Sequence, residues 1–156
     1  MGSRWPEWWS AALLLAATPL AAQQVREIGL QATATASDPA LVVGGVSAAL
    51  RTSRRTRVSV AAGVGASGGD AAWRGELLAH FLLNPDRRRG AGLYGAGGLA
   101  VVGGPVDEGY LVLTLGIEGR PGGRSGWFAE GGVGGGARLA VGYRWRKRPV
   151  GLPGPE

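Results

Sequence analysis

His80 is the side chain in this chain best suited to acid–base chemistry, and it is the single histidine among 156 residues. A histidine can act as general base for a serine nucleophile when the two side chains lie within hydrogen-bond reach. The serines considered as partners, Ser59 and Ser47, are distant from it in the sequence, and Leu78 and Leu82 take the neighbouring positions on its own strand face. The sequence therefore favours a structural role for His80, and we predict no catalytic residue.

Charged residues at alternate positions form a second group with chemical potential. In residues 73–83, for example, Arg74, Glu76 and His80 alternate with large apolar side chains. Charges on the inner face of a closed sheet must pair, because an unpaired buried charge costs several kcal/mol, and arginine–carboxylate pairs can be bidentate. The sequence predicts a structural network of ion pairs made by Glu27, Glu76, Glu118, Glu130, Arg57, Arg74, Arg138 and Arg144.

Metal and phosphate chemistry has little support in the sequence. The chain has no cysteine, one histidine and no carboxylates at the spacing of zinc or calcium sites. The glycine-rich stretches 95–98 and 131–136 are not followed by the Lys-Ser or Lys-Thr of a phosphate-binding loop. We therefore predict no metal site and no cofactor, and we assign these glycines to strands and turns.

The elements that position these residues are predicted to be β-strands. A period of two in the side chains places alternate residues on opposite faces, as in Leu139, Val141 and Tyr143. Segments rich in Gly, Pro, Asn and Asp separate the runs and are typical of hairpin turns. Eight strands are predicted: Gln24–Ser37, Leu41–Thr52, Thr56–Ser67, Ala71–Leu83, Ala91–Val102, Gly109–Arg120, Gly126–Gly134 and Ala137–Arg146.

The first residues have the pattern of an export signal. Arg4 precedes a short apolar run at residues 11–17, and small residues precede Gln23, so we predict a signal peptide over residues 1–22. The run is too short for a membrane helix, which needs roughly 20 apolar residues. The remainder is predicted to be one barrel domain, residues 23–146, followed by a disordered basic and proline-rich tail, residues 147–156.

Three observations favour a membrane barrel over a soluble sheet protein. Many apolar positions are Ala, Gly or Val, which would fill a core poorly, and the opposite face collects ions. Tryptophans also fall near both predicted membrane interfaces, where aromatic girdles are typical. The predicted interfacial residues are Trp73, Trp127, Tyr143 and Trp145, and the predicted partner is membrane lipid.

The positive charge of the chain does not indicate nucleic-acid binding. The formal net charge is +6, but the arginines lie in short segments between strands, without the stripe of interleaved aromatics expected for nucleic acid. We predict that these segments form solvated turns near lipid headgroups: Arg54 and Arg55, residues 87–89, Arg120 and Arg124, and residues 146–148.

With its signal peptide, its hairpin series and its last strand Leu139–Trp145, the chain resembles the small eight-stranded outer-membrane β-barrel proteins of bacteria. The resemblance covers the whole predicted mature region. It implies an all-β, antiparallel up-and-down transmembrane barrel in the outer membrane. It also implies that the barrel-assembly machinery binds the last strand. In that family the chain usually stops at the final aromatic, whereas here residues 146–156 follow.

We therefore expect a monomeric, non-enzymatic outer-membrane barrel with a structural role in the envelope and a plugged, ion-paired lumen. Eight strands leave an interior just wide enough for side chains to fill. One alternative is a soluble periplasmic, lipocalin-like barrel that binds a small apolar ligand, with the same alternation turned inward. Another is a lipid-modifying outer-membrane enzyme built around His80.

Overall fold

The structure is a computed structural model that describes residues 25–105 and 107–147. The predicted signal peptide and the tail beyond Lys147 lie outside these residues. Within them, no helix is long and apolar enough to cross a membrane. The strands are β1 (Arg26–Ala36), β2 (Leu41–Arg51), β3 (Thr56–Ser67), β4 (Asp70–Leu82), β5 (Ala91–Gly103), β6 (Glu108–Gly119), β7 (Ser125–Val133) and β8 (Ala137–Lys147).

All eight strands form one closed antiparallel barrel in sequence order, in which β8 pairs with β1. This confirms the predicted fold class. Closure satisfies the backbone groups that an open sheet would leave at its edges. One boundary needs correction: Lys147, assigned to the tail, is the last residue of β8, because Arg26 at the start of β1 provides its pairing partner.

The two ends of the barrel differ in charge. We call one the basic end: β1 begins there, β8 ends there, and the turns 52–55, 83–90 and 120–124 close it. We call the other the acidic end, where β1 connects to β2, β3 to β4, β5 to β6 and β7 to β8. The exposed acidic residues of that end are Asp38, Asp70, Asp107 and Glu108.

Most large apolar side chains of the strands point outward, and most charged ones point inward. Leu111 and Leu115 are each 77% exposed and Leu139 is 68% exposed, whereas Arg57 is fully buried and Glu118 is 1% exposed. This is the orientation predicted from the alternation. A water-soluble barrel has the opposite arrangement, so the outer wall of this barrel is suited to an apolar medium.

Two glycines make room for the aromatic side chains of the lumen. Gly116 pairs with Tyr94 across β5 and β6, and a side chain at Gly116 would collide with the Tyr94 ring. Gly142 pairs with Phe128 across β7 and β8, with the same consequence for the Phe128 ring. Glycine inside a strand thus allows a bulky neighbour to fill a narrow barrel.

Candidate functional site

Two carboxylates and four guanidinium groups meet inside the barrel near its basic end, and we call this group the basic-end cluster. Its members are Glu27, Glu118, Arg51, Arg57, Arg144 and Arg146. Arg57 Nη1 bridges both carboxylates, at 3.2 Å from Glu27 Oε2 and 2.9 Å from Glu118 Oε2. The six residues come from five strands, so the cluster ties together opposite walls of the barrel.

The two outermost arginines of this cluster also hold the turns over the basic end. Arg51 Nε lies 2.7 Å from Glu27 Oε1, and its terminal nitrogens donate to the carbonyls of Pro85, at 3.4 Å, and Pro121, at 2.8 Å. Arg146 Nη1 donates to the Arg120 carbonyl at 3.2 Å. The turns 83–90 and 120–124 are thereby fastened across the mouth of the lumen.

A second group, the acidic-end cluster, contains Glu76, Glu130, Arg74 and Arg138. Arg138 binds Glu76 in a bidentate manner, with distances of 3.0 Å from Nε to Oε1 and 2.8 Å from Nη2 to Oε2. Arg74 Nε lies 2.6 Å from Glu76 Oε1, and its terminal nitrogens reach the Gly134 carbonyl at 3.3 Å. This cluster has as many carboxylates as guanidinium groups.

Tyr94 lies between the two clusters and contacts both. Its hydroxyl donates to Glu130 Oε2 at 3.0 Å, and the Arg57 guanidinium lies 5.2 Å from the centre of its ring. The Arg144 guanidinium lies 3.7 Å from the centre of the Phe128 ring. Cations are attracted to aromatic faces at these distances, so the aromatic rings take part in holding the buried arginines.

His80 does meet a serine in the folded protein. Its Nε2 lies 2.8 Å from Ser59 Oγ, while its Nδ1 lies 3.4 Å from Arg57 Nη2. A guanidinium group can only donate, so the contact with Arg57 makes Nδ1 the acceptor and leaves the ring proton on Nε2. Nε2 then donates to Ser59, whereas a general base would need to accept the serine proton there. The pair has the polarity of a structural hydrogen bond.

A small cavity of about 10 Å³ is lined in part by Arg74, Glu76, Thr33 and Gln31. That volume corresponds to about one water molecule. A larger vestibule of about 120 Å³ opens at the acidic end, with Arg74 and Tyr110 among its lining residues.

All eight residues predicted to form the ion-pair network lie in the lumen, each at most 7% exposed. The structure brings them together as two groups rather than one. Arg51 and Arg146 also belong to the ionic lumen, although the predicted network did not include them. The assignment of Arg146 to a solvated turn was wrong, because the residue is 5% exposed. Extending the alternation of Arg138 and Arg144 by one step would have placed Arg146 inward.

The four predicted interfacial aromatics lie near the two ends of the barrel. Trp127, Tyr143 and Trp145 are near the basic end, where Tyr143 pairs with Trp127 in the β7–β8 ladder. Tyr143 also packs against Trp145 edge-to-face with ring centres 5.2 Å apart. Trp73 lies near the acidic end, three residues after β4 begins, so the outer wall carries aromatic side chains at both levels.

Comparison with known proteins identifies the fold and no more. No protein family and no curated protein matches the sequence. The structure is similar to the N-terminal β-barrel domain of Pseudomonas aeruginosa OprF, with 14% identity, a TM-score of 0.59, and coverage of 78% of this chain and 97% of that chain. It also matches Ail, the attachment invasion locus protein of Yersinia pestis, with 14% identity, a TM-score of 0.49, and coverage of 81% and 99%. The OprF similarity confirms the predicted small eight-stranded barrel.

Proposed function

We propose that this protein is an integral β-barrel of the bacterial outer membrane with a structural role in the envelope. The observation that carries the proposal is the inverted polarity of the barrel, apolar outside and ionic inside. Monomeric soluble proteins rarely expose apolar patches larger than a few hundred Å². Here every strand contributes exposed large apolar residues, among them Leu30, Val46, Val64, Leu77, Leu99, Leu113, Val133 and Leu139.

The same polarity argues against the soluble, lipocalin-like alternative. That interpretation needs an apolar interior that could hold an apolar ligand. The described lumen instead contains the two ionic clusters, together with buried polar residues such as Thr33 and Thr114. An apolar ligand would have to displace buried ion pairs, at a cost of several kcal/mol.

We further propose that the protein is not an enzyme. His80 is 2% exposed and lies inside the barrel, away from the lipid that a lipid-modifying enzyme would need to reach. Its hydrogen bonds with Ser59 and Arg57 also hold it in the tautomer that cannot activate the serine. The expected result is that His80→Ala leaves the lipid A of the host unchanged by mass spectrometry, whereas an altered lipid A would restore the enzyme interpretation.

Membrane residence can be tested by fractionation and electrophoresis. We expect the protein in the outer-membrane fraction, and a shift in gel mobility between unheated and boiled samples, because closed membrane barrels resist unfolding in detergent. A protein that stays monomeric in buffer after osmotic shock, without detergent, would contradict the proposal.

The plugged lumen is a separate part of the proposal and has its own test. The ionic clusters, the small cavity and the turns held by Arg51 all support a barrel without an open water path. We expect little conductance in planar bilayers for the natural protein. A large and persistent single-channel conductance would contradict the plugged lumen. It would not contradict the outer-membrane location.

We also propose that the barrel is a monomer that the assembly machinery recognises through residues Leu139–Trp145. These residues belong to β8, the strand that closes the barrel against β1. Leu139, Val141 and Trp145 are exposed on its outer face. Replacing Trp145 by Gln should slow assembly in cells while leaving refolding into detergent intact. Equal slowing of both processes would show that the residue serves folding alone.

A further inference from the structure

We propose that the outer wall of the barrel carries a binding site for one anionic phospholipid, at the basic end between β8, β1, β2 and β3. The inference rests on the proposed membrane location. Its two parts are a pair of cations, Arg26 and Lys147, and an apolar groove lined by residues of the same four strands. The ligand class is a phospholipid with a net negative headgroup, such as phosphatidylglycerol.

The cationic part is built by strand pairing. Arg26 and Lys147 are direct partners in the β1–β8 ladder, and both are exposed. They alternate with Glu27 and Arg146, which point into the lumen and are 2% and 5% exposed. Two positive side chains are therefore held side by side on the outer face, with their nearest strand neighbours turned away from them.

The apolar part begins directly below this pair. Ile28 and Trp145 are the next outward residues along β1 and β8, and they too are direct partners. Two residues along a strand span about 7 Å. The groove that they border has a volume of about 470 Å³ and continues past Leu30, Val46 and Val60.

Small side chains produce the groove. Ala48 pairs with Ile28 on one side and with Val60 on the other, and Ala62 pairs with Val46. At these positions the outer wall has a methyl group where neighbouring positions have Leu, Ile or Val. An acyl chain lying there would contact apolar side chains over several strands.

The site thus offers a pair of cations for the lipid headgroup and, next to it, an apolar groove for an acyl chain. A membrane-embedded groove takes a lipid tail in any case, but the adjacent cations select the headgroup. A Lys or Arg side chain next to the headgroup attracts anionic lipid by about fivefold in affinity per charge. The other exposed arginines of the basic end lie on the closing turns and not in the β1–β8 ladder that borders the groove: Arg54, Arg55, Arg87, Arg88, Arg89, Arg120 and Arg124.

Native mass spectrometry of the full barrel in detergent micelles tests the proposal. The probes are phosphatidylglycerol and phosphatidylcholine with identical acyl chains, titrated separately. We expect phosphatidylglycerol to bind more tightly. The double variant Arg26→Gln/Lys147→Gln should lose about 25-fold in phosphatidylglycerol affinity, from two charges at about fivefold each, and keep its phosphatidylcholine affinity.

Two matched variants separate the site from the general charge of the basic end. Arg88→Gln/Arg89→Gln removes the same charge from a turn and should change phosphatidylglycerol affinity only slightly. Ala48→Leu fills the groove from the outer face and should weaken the binding of both phospholipids to the same extent. Heat-dependent gel mobility, measured on every variant, verifies that each barrel is closed.

Three results would overturn the inference. They are equal binding of the two phospholipids, equal losses in the two charge variants, and tighter binding of lipid A than of phosphatidylglycerol with the same dependence on Arg26 and Lys147. Each of these can occur in a protein that resides in the outer membrane. A protein that needs no detergent would instead contradict the proposed function itself.

Discussion

The basic-end and acidic-end clusters solve the same physical problem with different charge ratios. The acidic-end cluster pairs two guanidinium groups with two carboxylates, and its Arg138–Glu76 contact is bidentate. The basic-end cluster holds four guanidinium groups on two carboxylates, with Glu118 Oε2 contacting Arg57, Arg144 and Arg146. Both clusters are buried, so neither can rely on bulk water to offset its charge.

The difference shows how a surplus of buried positive charge can be tolerated. In the basic-end cluster, Arg51 and Arg146 turn toward backbone carbonyls of the closing turns, and Arg144 lies over an aromatic ring. Carbonyl dipoles and ring faces thus supply the negative potential that carboxylates supply at the other end. The surplus cluster should therefore depend heavily on each carboxylate and only weakly on each outer arginine.

The largest effect is expected from Glu118→Gln. This change leaves four guanidinium groups with one carboxylate, and losing one partner of a buried pair costs about 3 to 5 kcal/mol. We expect a loss near the upper limit, about 5 kcal/mol, in the free energy of unfolding. Urea unfolding of the barrel in lipid vesicles, followed by tryptophan fluorescence, measures it. A loss below about 1 kcal/mol, the scale of a surface pair, would show that Glu118 is not the centre of the cluster.

In the acidic-end cluster, which has equal numbers of positive and negative groups, removing a carboxylate or a guanidinium group should lower the free energy of unfolding by the same amount. Glu76→Gln leaves Arg74 and Arg138 with Glu130 alone, while Arg138→Gln leaves two carboxylates with Arg74. We expect each to lose about 3 kcal/mol in the same assay. Strongly unequal losses would mean that the acidic-end cluster is not electrostatically balanced.

Removing the Tyr94 contact that links the two clusters should lower the free energy of unfolding by an intermediate amount. Tyr94→Phe keeps the ring beside Arg57 and removes only the hydroxyl that donates to Glu130. A hydrogen bond to a charged group contributes about 1.5 to 3 kcal/mol, and Glu130 keeps its contact with Arg138, so we expect a loss of about 1.5 kcal/mol. Gly116→Val, which displaces the whole ring, should cost more than Tyr94→Phe, and the reverse order would exclude a packing role for the ring.

The smallest effect is expected from Arg146→Gln. The variant loses the contacts with Glu118 and with the Arg120 carbonyl, but it also relieves repulsion among the surplus guanidinium groups. We expect a loss of about 1 kcal/mol, well below that of Arg138→Gln. If Arg146→Gln were as costly as Glu118→Gln, the surplus charge would be a requirement of the fold rather than a tolerated excess.

Most of the barrel could be predicted from local sequence features. Hairpin turns begin at residues such as Asp38-Pro39 and Asn84-Pro85, and the predicted strand ends agree with the observed ones to within two residues. The side-chain period of two assigned the faces of β4 and of most of β8 correctly, because in a strand a residue's face depends only on its position. The alternation was not followed to the last residues of β2 and β8, and Arg51 and Arg146 were missed for that reason.

The contacts within the site needed the register and the closure of the sheet. Ser59 and His80 are 21 residues apart in sequence, and they meet because Arg57 pairs with His80 in the β3–β4 ladder. A shift of that register by one residue would move one partner to the other face. The two-residue turn at Gly68 and Gly69 fixes that register, since it pairs Ser67 with Asp70, but the contact appears only when the pairing is followed from the turn to Arg57 and His80.

The residue types and their spacing were enough to predict that charged side chains alternate with apolar ones in eight strands, because side-chain direction in a strand is a property of position alone. Which charges meet depends on how the strands pair and on the closure of the barrel. Closure of β8 on β1 brings Glu27 within 3.6 Å of Arg146, and the narrow interior forces side chains from opposite walls to share one space. Partner choice, the division into two clusters and the surplus of positive charge at one end all follow from that closure.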